Sequence, residues 1–184
     1  DRFATALYEL GVRPDEKVML YIPNCPQFLI GYFGAQRIGA VPVPVSPIYT
    51  PHEIRYLLND SGATTILCQD TNFRYVREIS SETPLQRVVV TNYVDLLPWY
   101  KRAVGVLFDK VPNGVVDKGK TVYFFRDLIR RTKPRPPTIE INPQSQLCYI
   151  LYTGGTTGFP KGVMLTHHNI INNGFNIGEC MKFT

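Results

Sequence analysis

At 184 residues, with 44% hydrophobic and 19% charged side chains, the chain has an ordinary composition for one folded domain and enough length to bury a sizeable core. No stretch approaches the roughly 18 uninterrupted apolar residues of a membrane span, and no basic start with a hydrophobic signal segment stands at its N-terminus. The net charge of +5 is concentrated: Pro98 to Arg135 holds ten Lys or Arg against three Asp, which leaves the remainder at −2 and argues against a general nucleic-acid binder.

Phe3, Ala6, Leu7 and Leu10 recur at helical spacing, and Gly11 follows as a C-terminal stop. Nothing precedes Asp1 to start that helix, so the chain is expected to begin inside a larger protein. Lys17 to Ile22 reads as a buried strand, and Pro23-Asn24 as a turn. Pro26 suits the first turn of a helix carrying Phe28, Leu29, Tyr32, Phe33 and Ile38 and ending at Gly39. A short strand, Ala40 to Val43, runs into the proline-rich loop Pro44 to Pro47. Thr50-Pro51-His52-Glu53 is a helix start with a capping box: the Thr hydroxyl accepts from a free amide, Pro51 has none to satisfy, and Glu53 reaches back. Ile54, Leu57 and Leu58 give that helix one apolar face, and Gly62 closes it. Thr64 to Cys68 is a strand, Phe73 to Ile79 a helix, and Arg87 to Thr91 a strand. Strand and helix alternate, which predicts an α/β fold with a mostly parallel sheet and flanking helices.

The rhythm breaks over about 93–137, a basic insert. Pro98 to Val111 sets Trp99, Tyr100, Ala103, Val104, Leu107 and Val111 on roughly one helical side, with Lys101, Arg102 and Asp109 on another. Pro112-Asn113-Gly114 is a turn, Phe124 to Arg131 a basic helix, and Lys133 to Thr138 a linker. Two readings of the insert stay open. Trp99, Tyr100 and Phe108 could dip into lipid while Lys101 and Arg102 meet anionic headgroups, a peripheral contact on the inner face of the membrane. Alternatively, a solvated amphipathic helix lies on the domain. The cysteines Cys25, Cys68, Cys148 and Cys180 are far apart and form no CxxC pair, so free thiols in a reducing cytoplasm are expected, not a zinc site or a disulfide framework.

Leu147 to Tyr152 resumes as a strand and leads into Thr153-Gly-Gly-Thr-Thr-Gly-Phe-Pro-Lys-Gly162, with four glycines and three threonines in ten residues. Glycines let backbone amides crowd round an anion, threonine hydroxyls add donors, and Lys161, placed with the help of Pro160, adds positive charge. Convergent amides with one lysine suit a polyphosphate. The pattern is not a Walker A loop, because Gly162 follows Lys161 where that motif carries the Ser or Thr that holds magnesium. Without more, a flexible hairpin loop would explain it equally, since Gly162 to Thr166 looks like a second strand.

Together with Leu10-Gly-Val, Val18 to Asn24, Gly39 to Val45, Tyr49-Thr-Pro, Leu57 to Ala63 with Asp60-Ser-Gly, and Leu165-Thr-His-His-Asn169, in this order and spacing, the loop resembles that of the adenylate-forming superfamily. That superfamily includes acyl-CoA synthetases, luciferases and peptide-synthetase adenylation domains. The resemblance covers most of the chain except about Tyr93 to Pro137. It implies ATP, with Mg2+ as its substrate complex, a small-molecule carboxylic acid, and CoA as co-substrate. The carboxylate attacks the α-phosphate, pyrophosphate leaves, and a thiol displaces AMP from the acyl-adenylate. By position, Thr153, Gly154, Gly155, Thr156, Thr157, Gly158, Pro160 and Lys161 would hold the ATP phosphates, with no protein-held metal and no catalytic residue assigned within this stretch. The superfamily often has serine where Gly154 stands. Gly154-Gly155 is more typical of long-chain fatty acid–CoA ligases, and it tilts the expected substrate that way.

Other acid–CoA ligases, for medium-chain or aryl acids, and a non-catalytic nucleotide-binding module remain the alternatives. The superfamily's later motifs for adenine, magnesium and ribose have no counterpart before Thr184, so 1–184 is expected to be part of a large N-terminal domain and inactive alone. His167 and His168 are expected to cap or pack at a helix start, Tyr49 and His52 to pack locally, and the cysteines, lacking a partnered base, to be poor nucleophiles.

Overall fold

The computed structural model describes residues 1–98, 100–101, 112–154 and 159–180. Five strands form one sheet in the order β2-β1-β3-β4-β5: β1 (Lys17–Tyr21), β2 (Val41–Pro44), β3 (Thr65–Gln69), β4 (Arg87–Thr91) and β5 (Val122–Phe124). Every neighbouring pair is parallel, as the alternation predicts. β3 is buried along its whole length and β1 from Val18 onward, because helices cover both faces.

On one face, α3 (Pro51–Ser61) and α4 (Phe73–Ile79) set Ile54, Leu57, Leu58, Phe73 and Val76 against Met19, Ile66, Cys68 and Val90. On the other, α1 (Arg2–Glu9), α2 (Pro26–Arg37) and α5 (Phe125–Arg131) bring Phe3, Leu7, Ala35, Ile38 and Phe125 onto Val18, Leu20, Leu67 and Val89. The helix ends match their chemistry. Thr50 and Glu53 form both halves of the capping box, and Gly62 takes the left-handed conformation at the C-cap, with φ 67°.

α2 presents a different face from the one its apolar spacing suggests. Leu29 and Phe33 are 55% and 62% exposed, while Gln27, Gly31, Gly34 and Ala35 are buried. Closeness is the reason. A Cβ on Gly31 would lie 2.7 Å from the Leu67 Cδ2 and 3.1 Å from the Leu20 Cδ2, so only a bare backbone lets α2 settle this near the two central strands. Gly31→Val is expected to lower stability by about 1–3 kcal/mol through overpacking, despite its better helix propensity. A urea midpoint that falls at unchanged m-value checks this.

Two findings lie within the basic region. Val122–Phe124, not anticipated as a strand, extends the sheet on β4, and Phe125 is fully buried with its ring centroid 5.1 Å from that of Phe3. The Asp70 carboxylate ties together the two ends of the preceding excursion. It accepts from the Asn92 side-chain amide (2.7 Å) and the Gly114 backbone amide (3.2 Å), and Asn92 also donates to the Pro112 carbonyl. Of the residues expected at a membrane contact, Trp99, Arg102 and Phe108 lie outside the described residues, and Tyr100 and Lys101 are exposed. No helix among the described residues is long and apolar enough to cross a membrane.

β6 (Leu147–Thr153) and β7 (Lys161–Thr166) form a separate antiparallel hairpin, followed by α6 (His167–Cys180). β6 lies against β2, and the Gln36 side chain of α2 donates to the Cys148 carbonyl at 3.0 Å. The hairpin is thereby docked beside the edge of the main sheet.

Candidate phosphate-binding site

The glycine- and threonine-rich loop connects β6 to β7. In the ladder Tyr152 pairs with Gly162 and Thr153 with Lys161, so the last rung holds the first threonine directly opposite the lysine. Thr153, Gly154 and Lys161 are exposed, and a Cβ on Gly154 would meet nothing within 4 Å. Gly162 differs: a Cβ there would come within 3.0 Å of Ile150 Cγ2 and 3.2 Å of Tyr152 Cζ. Gly162 is needed for shape, whereas Gly154 leaves the loop backbone open to an approaching ligand. Gly155, Thr156, Thr157 and Gly158 lie outside the described residues.

One face of α3 meets both sides of this loop. Before it, the Tyr152 hydroxyl donates to the Asp60 carboxylate at 2.6 Å. Burial, and then this bond to Asp60, push the Tyr152 hydroxyl well above the ordinary tyrosine range, so it stays protonated and keeps donating. After the loop, the Phe159 ring stacks on Tyr56, with centroids 4.7 Å apart, and lies parallel to His52 at 6.5 Å. The Tyr56 hydroxyl donates to the Pro160 carbonyl at 3.2 Å. His52 therefore packs against the end of the loop, more than its own helix start. Tyr49 packs as expected, its carbonyl accepting from the Tyr21 hydroxyl at 2.6 Å.

Beside the hairpin, a cleft of about 510 Å3 opens at the carboxyl ends of β1 and β2, lined by Ile22, Asn24, Ser46, Tyr49, Leu151 and Tyr152 among others. The chain runs outward from β1 in opposite directions to β2 and β3, and the carboxyl edge at such a reversal is where open parallel sheets take ligands. The cleft and the loop thus share Tyr152 as a common wall.

The remaining candidates fall into local roles. Thr166 and Asn169 cap α6 reciprocally, the Thr166 hydroxyl accepting from the Asn169 amide at 3.2 Å and Asn169 Oδ1 from the Thr166 amide at 2.9 Å. His168 lies between the side-chain amides of Gln144 (3.2 Å) and Asn172 (2.9 Å), and burial holds His167 below the usual histidine range. Cys25, Cys68 and Cys148 are free thiols, and burial pushes the last two up, away from the reactive thiolate. Among the described residues, no three His, Cys, Asp or Glu gather into a metal site. Sequence reasoning gave His52 only local packing and gave Tyr56 and Asp60 no part beside the loop. Their spacing of four along a helix was visible, but their partners lie 92 to 107 residues away.

The family model of the AMP-binding enzymes matches residues 1–184. A long-chain-fatty-acid–CoA ligase of Bacillus subtilis is 34% identical over 165 residues, which are 89% of this chain and 30% of that protein. The 4-coumarate–CoA ligase 1 of Solanum tuberosum is 29% identical over 170 residues, covering 92% of this chain and 26% of that one. In the crystal structure of a long-chain-fatty-acid-CoA ligase from Archaeoglobus fulgidus, 30% of the chain superposes on 96% of this one, with a TM-score of 0.74 and 28% identity. The chain thus spans about 30% of the length of the first curated relatives it matches.

Proposed function

This chain belongs to the AMP-binding enzyme family, and we propose that the protein carrying it activates a fatty acid, of long chain by preference, as its CoA thioester by way of an acyl-adenylate. The observation that carries this reading is the loop closed by the Thr153–Lys161 rung beside the carboxyl-edge cleft. A substrate carboxylate attacking the α-phosphate of ATP leaves pyrophosphate as the departing group, and charge builds on the bridging and terminal oxygens. In this reading the loop from Thr153 to Lys161 takes the β- and γ-phosphates, a role supported by the exposure of Thr153, Gly154 and Lys161 and by the open space beside Gly154, with Pro160 fixing the approach to Lys161. Preformed donors at the point where charge develops act mainly by electrostatic stabilisation. Mg2+ enters with ATP as its counter-ion, and no residue of this chain is assigned to it. CoA then takes the acyl group and AMP leaves.

The long-chain preference draws support from Gly154-Gly155 and from the similarity to the Bacillus subtilis ligase. An aryl acid is the second reading, favoured by the comparable similarity to the Solanum tuberosum ligase. Exchange of labelled pyrophosphate into ATP by the full-length protein, run with short, long and aromatic acids, decides between them. Exchange driven by long-chain acids is the expected result. Exchange driven only by aromatic acids would transfer the assignment to the second reading, and none with any acid would leave the loop a nucleotide-binding element without this chemistry.

A further inference from the structure

Helix α3 is tied to the sheet by Ile54, Leu57 and Leu58, all fully buried. Its neighbouring face carries His52, Tyr56 and Asp60, four residues apart and so one above the other along the axis. All three side chains contact the hairpin, at points that bracket the glycine-rich turn: Asp60 takes the Tyr152 hydroxyl on one strand, while Tyr56 and His52 take the Phe159 ring and Pro160 on the return. Phe159 is 63% exposed, and its ring contacts are with these two α3 side chains. A phenylalanine on an otherwise glycine- and threonine-rich loop gains little from burial at that exposure. What it gains is a fixed seat on a rigid helix.

Glycine-rich backbone is costly to order, and a loop ordered only on ligand binding loses that cost from its affinity. We propose that the His52–Tyr56–Asp60 face of α3 is a positioning device that fixes the two ends of the phosphate loop, at Tyr152 and at Phe159–Pro160, before ATP arrives, with Phe159 as its main anchor. The proposal rests on the loop being the ATP phosphate site. It makes His52, Tyr56, Asp60 and Phe159 positioning residues, since none of them need touch the nucleotide.

The test uses the full-length protein and acid-dependent pyrophosphate exchange, with ATP and acid varied separately. Phe159→Ala and Tyr56→Ala are each expected to raise the KM for ATP about three- to tenfold, the range of a lost aromatic pair. The acid KM and the melting temperature should stay unchanged. The double variant should be little worse than either single one, because both remove the same contact, and Phe159→Tyr should restore the ATP KM. An unchanged ATP KM in both single variants would overturn the proposal, as would a parallel rise of both KM values with a lower melting temperature, which marks a general structural role. Lys161→Ala in the same assay separates the two ideas. If it abolishes exchange while Phe159→Ala does nothing, the phosphate-loop reading stands and the positioning device falls. If Lys161→Ala is also silent, the phosphate-loop reading itself has failed.

Discussion

Lys161→Ala in the full-length protein is expected to cut acid-dependent pyrophosphate exchange by about 100- to 1,000-fold, the usual loss when one preformed donor to a developing anion is removed. The ladder fixes the backbone of Lys161 opposite Thr153, and its side chain stands exposed at the mouth of the loop. The ammonium is therefore delivered by a strand. It also lies outside the core, so folding should be untouched: surface substitutions of this kind change stability by less than about 0.5 kcal/mol. The loss should fall more on kcat than on the ATP KM, because negative charge on the departing pyrophosphate is greater in the transition state than in bound ATP. Lys161→Arg keeps the charge but replaces a compact ammonium with a planar fork, and should recover only part of the rate. A variant with a normal melting temperature and exchange within threefold of wild type would remove Lys161 from the phosphate site.

The sequence carried those parts of the fold that are decided locally. The capping box at Thr50 and Glu53, the left-handed glycine at position 62 and the apolar runs of β1, β3 and β4 each follow from a few adjacent residues, and each is found where its chemistry predicts. β5 was not legible because three residues with half-buried side chains have no pattern of their own. They become a strand by pairing with Val88, Val89 and Val90. The face of α2 was misleading for the opposite reason: its large apolar residues advertise burial, but the narrow space against the sheet selects Gly31, and that against α1 selects Gly34.

The candidate site divides in the same way. The loop's composition suggested anion binding and a hairpin turn equally, and the hairpin follows from the two flanking apolar runs. Its support from α3 could not be read, because Asp60 and Tyr152 are 92 residues apart and nothing in either neighbourhood marks the other. A capped helix and a glycine-rich loop were visible as separate features, and only the fold brings one against the other.

Arg87 is the clearest case of a residue that looked like an ordinary strand start, and Arg87→Ala is expected to lower stability by about 3 kcal/mol. The guanidinium is largely enclosed, its side chain 12% exposed. Its Nε donates to the Leu10 carbonyl at 2.7 Å and Nη2 to the Gly11 carbonyl at 3.0 Å, both at the C-terminal end of α1. Nη1 reaches Glu16 at 3.2 Å and the hydroxyls of Thr64 and Thr65 at 3.4 and 3.3 Å. One planar group thus ties the end of α1, the start of β1 and the start of β3 to β4. Truncation leaves the enclosed acceptors unpartnered and Glu16, 29% exposed, without its counter-charge. For a domain of this size that corresponds to a fall of about 6–12 °C in melting temperature, with loss of hydrogen-exchange protection concentrated at Leu10 to Val18 and along β4. Arg87→Lys should recover only part, since an ammonium cannot span the α1 carbonyls and Glu16 together. Glu16→Gln keeps an acceptor oxygen and should cost much less than Arg87→Ala if hydrogen bonding outweighs charge. Equal losses from Glu16→Gln and Arg87→Ala would instead make the ion pair the dominant contribution. A loss below about 1 kcal/mol for Arg87→Ala would mean that water replaces the guanidinium without difficulty, and that the junction of α1, β1, β3 and β4 is held by its apolar contacts alone.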